Sequence, residues 1–410
     1  LSSQKLIIGD ITSFPVSGKG KGRLRGSVIG FGGTMMSRAG LNGRKSVIQP
    51  DESVGEALVQ MAINSLTKEV RGRISELELI QVDPLIDSSD VLYPQLEEMT
   101  ALLQSFVQEQ RSDFYIPIFG TDQLAYAAEA SRMALPMDMI KQRVFLTCSQ
   151  KHFDADRSDA VPNLANAITF ASMKESEGMV GVSFRDSLLS TIGFQKLSRS
   201  VAYPFAWRGE KIFKKTKKSS LMKNPFSDVF EIVVAPKSRD HSFNFPMGSE
   251  KEEFKIHWPG PRIVESHPGY DYEDLLYTAK GIARIPDENR KISSFILKLP
   301  GQGNARSSEQ QQKILIEASQ RFARSGIPFL LVGNPKKVVE RMGDDDEELY
   351  AGDLSLGALG EESNIISGGG MAIPELSVLT SHLIAKALAK DLKGEERIAF
   401  VREGIMEYPY

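Results

Sequence analysis

The residues best placed to do chemistry are hydroxyls standing beside glycines. Gly32-Gly33-Thr34 closes one short apolar run, SVIGFGG, and Gly120-Thr121-Asp122 closes another, FYIPIFG. Two glycines let the backbone bend sharply and leave room for a ligand beside the next side chain. In such a turn Thr34 is a nucleophile or a ligand contact, or else part of a plain strand-to-loop turn. Thr121 offers a second hydroxyl. Asp122 stands where a helix N-terminus favours an anion, a place that a simple N-cap would also fill. Asp87-Ser88-Ser89-Asp90 sets two more hydroxyls between carboxylates, and it too reads either as a capping stretch or as part of a site. A threonine hydroxyl is a poor nucleophile at neutral pH, so this chemistry needs a proton acceptor within about 3 Å. Lysines crowd residues 211–223, KIFKKTKKSSLMK. They form a solvated strip, or one of them enters the crevice and raises a hydroxyl's reactivity.

Other chemistries find little support. The five histidines have no metal-ligand spacing, and the single cysteine, Cys148, excludes an intrachain disulfide. At the end of an apolar strand, Cys148 reads as a buried thiol. Neither a P-loop nor a G-x-G-x-x-G fingerprint occurs, and no metal or cofactor is expected. The net charge is −3, and only Phe213 is interleaved with the lysines, so no nucleic-acid partner is expected. No apolar stretch reaches the roughly 20 residues of a membrane span, and the N-terminus has no signal-peptide profile. A cytoplasmic protein is the expectation.

The polar turns need a scaffold that gathers them. From Ser27 to about Pro236 short apolar runs alternate with helical spacing: Leu96, Met99, Leu103 and Phe106; then Leu124, Ala125, Ala128 and Met133; then Leu164, Ala167, Ile168 and Ala171. Strands are predicted at Val144–Leu146 and Met179–Phe184. In alternating strand–helix folds, such turns collect at one edge of a parallel sheet, where ligands bind. With 410 residues the chain exceeds what one core usually serves. Residues 1–25 read as a flexible lead-in, 26–236 as a larger α/β domain, 237–262 as a linker, and 263–410 as a smaller α/β domain. The second domain is predicted to hold strands at Ser293–Leu299, Pro328–Val332 and Ile365–Ile366. It also has a helix from about Ser308 and a last long helix from Pro374, a residue suited to a first helical turn.

The order of these pieces resembles the bacterial-type L-asparaginase family, threonine-dependent amidohydrolases that include the glutaminase-asparaginases, over roughly Ser27 to Leu388. GGT (Gly32–Thr34) is similar to the family's first threonine turn, DSSD (Asp87–Asp90) to its substrate-carboxylate loop, and GTD (Gly120–Asp122) to its second threonine turn. TCSQ and SDAVPNLANA (Thr147–Gln150, Ser158–Ala167) resemble the family's TGA/TGS segment and SDGPxNLxNA helix start. GQGNA (Gly301–Ala305) resembles a GxGNA turn, and IISGGGMAIPE (Ile365–Glu375) the segment before the final helix.

The resemblance implies an asparaginase-like fold with a larger N-terminal parallel-sheet domain, helices on both its faces, and a smaller C-terminal domain. It implies hydrolysis of asparagine, and secondarily glutamine, by Thr34 as nucleophile. Thr121, Asp122 and Lys217 would be the second threonine and its activating partners. Lys217 lies nine residues before Phe226, as the family lysine does before a phenylalanine, and Lys218 competes with it. Ser88, with Ser89 beside it, and Asp122 would hold the substrate's α-carboxylate and α-ammonium. Asn304 would reach a neighbouring subunit of a homodimer or homotetramer. The chain departs from the family in having no tyrosine between Thr34 and Tyr93, in Phe119 where a histidine often precedes GTD, and in Cys148 and Ala160 at two glycine positions. Two other functions stay open: a non-catalytic binding protein on this fold, and an ammonia-supplying subunit of a tRNA amidotransferase.

Overall fold

The structure is a computed structural model. It describes residues 6–17, 22–42, 45–86, 93–135, 141–191, 194–196, 205–206, 211–216 and 229–231 in the first half. In the second half it describes 254–265, 272–286, 291–298, 309–332, 364–367 and 371–408. The chain divides into two compact units, Leu1–Met247 and Gly248–Tyr410.

The first unit opens with β1 (Ile7–Pro15) and β2 (Leu24–Gly32). A single 3-10 turn, Thr34–Met36, leads into a hairpin of β3 (Ser37–Asn42) and β4 (Lys45–Pro50). Next come α1 (Ser53–Ser65), α2 (Lys68–Arg73), β5 (Ile74–Ile86), α3 (Tyr93–Gln108) and β6 (Phe114–Ile118). They are followed by α4 (Leu124–Ala134), β7 (Arg143–Thr147), α5 (Ala160–Ala171), β8 (Val180–Phe184) and β9 (Ser187–Leu189). Short strands β10 (Gln195–Lys196), β11 (Phe205–Ala206), β12 (Lys211–Thr216) and β13 (Val229–Glu231) complete it.

The main sheet runs β1-β5-β2-β6-β7-β8-β9-β12-β13. Strands β5, β2, β6, β7 and β8 are parallel. Val28 and Ile29 are both fully buried although successive strand residues face opposite sides, so both faces of the sheet are covered. One face packs on α1 and α5 through Leu58, Ala62, Leu164 and Ile168. The chain leaves β2 towards β5 on one side, while β6 lies on the other, which makes β2 the switch point where such sheets open a crevice.

Residues 7–15, read from the sequence as lead-in, form the edge strand β1, antiparallel to β5. The Gly/Lys-rich stretch around residue 20 masks an IIGDITSF run that has ordinary strand composition. The β3–β4 hairpin, α1 and α2 also went unread. Among the described residues no helix is long and apolar enough to cross a membrane.

The second unit is a parallel sheet of β14 (Arg262–Glu265), β15 (Phe295–Lys298), β16 (Phe329–Val332) and β17 (Ile365–Ser367). Its helices are α6 (Glu273–Ala283), α7 (Glu309–Arg324), α8 (Ile373–Ala389) and α9 (Gly394–Met406). Phe295, Phe322 and Phe329 stack at its centre, with centroids 4.7 to 5.5 Å apart.

His257 is buried in this unit, 8% exposed, with Nε2 2.9 Å from the Lys291 carbonyl. That acceptor requires the neutral ring to carry its hydrogen on Nε2. Burial, helped by the nearby Arg397 charge, pushes its pKa down. The unfolded chain therefore binds a proton that the folded ring resists. The resulting stability is complete above about pH 6.5 and is lost as pH falls below it. His257→Gln keeps a side-chain N–H and cannot titrate. Urea midpoints measured from pH 8 to pH 5 are expected to fall less in this variant than in the parent chain.

Candidate active site

The two threonine turns meet. β2 and β6 are adjacent and parallel, with Gly30 opposite Ile118, so they end at the same sheet edge. Beyond them Gly33 adopts φ 79° and ψ −178°, a conformation essentially reserved for glycine. A Cβ built on Gly33 would stand 2.4 Å from both Cα and N of Gly120. The backbone beside Thr34 thus lies directly against the backbone beside Thr121. Phe31 and Phe119, just upstream on the two strands, stack at 4.9 Å. That contact gives Phe119, which replaces the histidine of the family pattern, an apolar role beneath the turns.

Thr121 is buried and Asp122 half exposed, as they enter the turn before α4. Lys196 donates to both: Nζ is 2.7 Å from Thr121 Oγ1 and 2.8 Å from Asp122 Oδ1. Lys196 sits on β10, opposite Phe205 of β11. Phe205 packs edge-on against Phe184 of β8 at 5.1 Å and stacks on Phe194 at 4.9 Å. This aromatic cluster ties the short ribbon to the main sheet and aims the lysine at the sheet edge.

Lys196 is the residue that the sequence reading missed. Among the described residues Lys196 stands beside Thr121 and Asp122, where Lys217 was expected, and Lys217 and Lys218 lie outside the described residues. The signal was present, since Lys196 also stands nine residues before a phenylalanine, Phe205.

The turn after β7 forms the next wall. Asp159 accepts hydrogen bonds from Gln150 N and Lys151 N at 3.0–3.1 Å, and Asn163 donates to the Cys148 carbonyl at 2.8 Å. Cys148 is fully buried, and burial pushes its thiol pKa well up, so it is no nucleophile. Thr34 is half-buried on its 3-10 turn. Among the described residues its hydroxyl has no hydrogen-bond partner. Ser88, Ser89 and Asn304 lie outside the described residues. Among the described residues no three His, Cys, Asp or Glu side chains group so as to hold a metal ion.

An amine within hydrogen-bond reach of a buried hydroxyl, itself oriented by a carboxylate, is the geometry of an activated nucleophile or of a proton relay.

Comparison with known proteins identifies the fold. Residues 27–222 match the family "Asparaginase, N-terminal". Among solved structures the chain is similar to L-asparaginase I from Vibrio cholerae, with a TM-score of 0.62 and 19% identity over 93% of this chain and 97% of that one. It is also similar to the thermostable L-asparaginase from Thermococcus kodakarensis, with a TM-score of 0.62 and 18% identity over 93% and 96%. The probable cytoplasmic L-asparaginase of Campylobacter jejuni gives 0.59 and 16% over 94% and 99%. No curated protein matches by sequence. Residues 27–222 match an asparaginase N-terminal domain, and the chain as a whole takes the asparaginase fold.

Proposed function

We propose that the protein hydrolyses the side-chain amide of L-asparagine, and more slowly that of L-glutamine, through an ester on Thr34. The observation that carries this reading is Lys196 bound to Thr121 and Asp122 on a turn whose glycine touches the glycine beside Thr34. Thr34 Oγ1 attacks the carboxamide carbon and loses its proton. The C–N bond breaks, and the departing nitrogen takes a proton and leaves as ammonia. Water then attacks the ester, releasing the acid and restoring the Thr34 hydroxyl.

Lys196, in place of Lys217, is the proton acceptor, acting through Thr121. When its amine carries two hydrogens instead of three, the 2.7 Å contact reverses and Thr121 donates. Thr121 Oγ1 is then able to take a proton from the attacking hydroxyl or water. Backbone N–H groups of the two glycine turns stabilise the oxyanion. Ser88 and Ser89 hold the substrate carboxylate, Asp122 its ammonium, and Asn304 supplies a contact across a homodimer or homotetramer. The setting is cytoplasmic, as in the name of the Campylobacter relative.

A second assignment, with Thr121 as the acylated residue, is favoured by its direct contact with Lys196, a partner Thr34 lacks among the described residues. Ammonia release by Thr34→Ala and Thr121→Ala, with peptide mass analysis of acid-quenched enzyme, decides between them. Loss of about a hundredfold or more is expected in each variant, with the substrate-derived mass on the peptide holding Thr34. That mass on the Thr121 peptide would exchange the two roles. Parent-like rates in either variant would remove that residue from the reaction. Calorimetric binding of asparagine without any ammonia would make the chain a binding protein, and co-purification with a second subunit and tRNA would make it an amidotransferase component.

A further inference from the structure

The hairpin β3–β4 starts directly after the turn bearing Thr34, and one charged cluster holds its root. Ser37 Oγ donates to the Gly33 carbonyl at 2.8 Å, and Asp51 N to the Met36 carbonyl at 2.9 Å. The loop between β7 and α5 reaches across to the same strand. Phe153 N donates to the Ser37 carbonyl at 3.1 Å, and the Ala39 amide points to Asp154 Oδ1 at 3.4 Å. Arg38 lies over the Phe153 ring at 6.0 Å and 3.8 Å from Asp51. The oxygen of Asp154 that faces Ala39 is also 2.6 Å from Nδ1 of His152. One carboxylate oxygen therefore joins a titratable ring to the first strand of the hairpin.

We propose that His152 and Asp154 are positioning residues for the hairpin that follows Thr34, and that the proton on His152 sets how firmly its first strand is held. An imidazolium gives the Asp154 carboxylate a charge-assisted hydrogen bond. A neutral ring with its hydrogen on Nδ1 gives an ordinary one. A neutral ring with its hydrogen on Nε2 presents a lone pair to the carboxylate, and the contact opens.

The surrounding charges leave His152 in control of Asp154. Lys151 Nζ donates to the Asp156 carbonyl, and the Asp156–Arg157 pair is exposed. Asp159 caps the backbone of Gln150 and Lys151. On the hairpin side, Asp51 is taken up by the Ser53 backbone and hydroxyl and by Arg38. The hydrogen bond from His152 is the main influence holding the Asp154 carboxyl below the usual carboxylate range, so Asp154 stays charged near neutral pH. The strand is held most firmly on the acid side and loosens as pH rises.

The test is amide hydrogen exchange in the full chain over residues 37–42, corrected for intrinsic exchange. Opening in the parent chain is expected to rise about threefold from pH 5.5 to pH 8, the effect of a partly exposed pair. His152→Ala should be open at both pH values. His152→Asn, which keeps an N–H near the place of Nδ1 without a titration, should stay closed and flat. The proposal is overturned if the parent shows no pH dependence, if it survives in His152→Ala, or if the Asn variant opens like the Ala variant. Asp154→Asn, with the acceptor kept and the charge removed, should also lose the pH dependence.

The activity arm alone rests on the amidohydrolase reading. Whatever part of the pH dependence of kcat for ammonia release follows the opening of the hairpin between pH 5.5 and pH 8 should vanish in His152→Asn, with KM little changed. A chain that releases no ammonia defeats the amidohydrolase reading, and the exchange result still stands or falls by itself.

Discussion

On the proposed mechanism, Lys196→Met is expected to release ammonia from asparagine at least about a hundredfold more slowly than the parent chain, the loss that follows when a positioned general base is removed. Methionine keeps the length of the stem and loses the amine, so packing at β10 changes little while the 2.7 and 2.8 Å contacts to Thr121 and Asp122 disappear. The fall belongs in kcat, because a proton acceptor is needed by the transition state more than by the bound substrate. Lys196→Arg is not expected to rescue, since a guanidinium stays protonated and cannot accept a proton. The melting temperature should hardly move in either variant. The Asp122 carboxylate is 56% exposed, and an ion pair that open to water contributes little to stability. Steady-state rates close to the parent's in Lys196→Met would end the relay. A matched loss in Lys217→Met, with Lys196→Met intact, would return the role to the basic strip.

Most of the architecture was legible in the sequence because helical and strand periods in the first unit are clean. The stripe Leu96, Met99, Leu103 and Phe106 becomes the buried face of α3, and Leu164, Ala167, Ile168 and Ala171 become that of α5. The apolar VFL run becomes part of the central strand β7. The turns at Thr34 and Thr121 announced themselves through glycines that only a sharp bend or a close approach explains. Three kinds of feature were harder to read. The edge strand β1 hides behind a glycine- and lysine-rich stretch. The hairpin β3–β4 is a small two-stranded element, with no apolar alternation strong enough to mark it. Lys196 illustrates the third kind. A lysine nine residues before a phenylalanine occurs at Lys196/Phe205 and again at Lys217/Phe226. Spacing does not choose between them. The rings of Phe184 and Phe194 around Phe205 are what position Lys196, and those contacts cannot be read from local spacing.

Gly33→Ala is expected to destabilise the first unit by about 3 kcal/mol or more and to abolish ammonia release in whatever fraction remains folded. Two costs add. At φ 79° and ψ −178° an L side chain is strained whatever its surroundings. The new methyl also meets backbone atoms on every near side: Gly120 Cα and N at 2.4 Å and the Phe119 carbonyl carbon at 2.9 Å. No rotamer relieves a clash with main chain, so the two turns must separate. Separating them moves Thr34 away from Thr121, which is the one displacement the proposed reaction cannot absorb. Gly281→Ala is the matched control. It lies in α6 with nothing within 4 Å of the added carbon, and it should leave activity unchanged and raise helix stability by up to about 1 kcal/mol. Thermal melts and ammonia assays on the two variants separate local strain from a general intolerance of added methyl groups. A Gly33→Ala protein that melts and turns over like the parent would mean that the turns do not touch, and the pairing of the two hydroxyls over one carboxamide would lose its geometric basis.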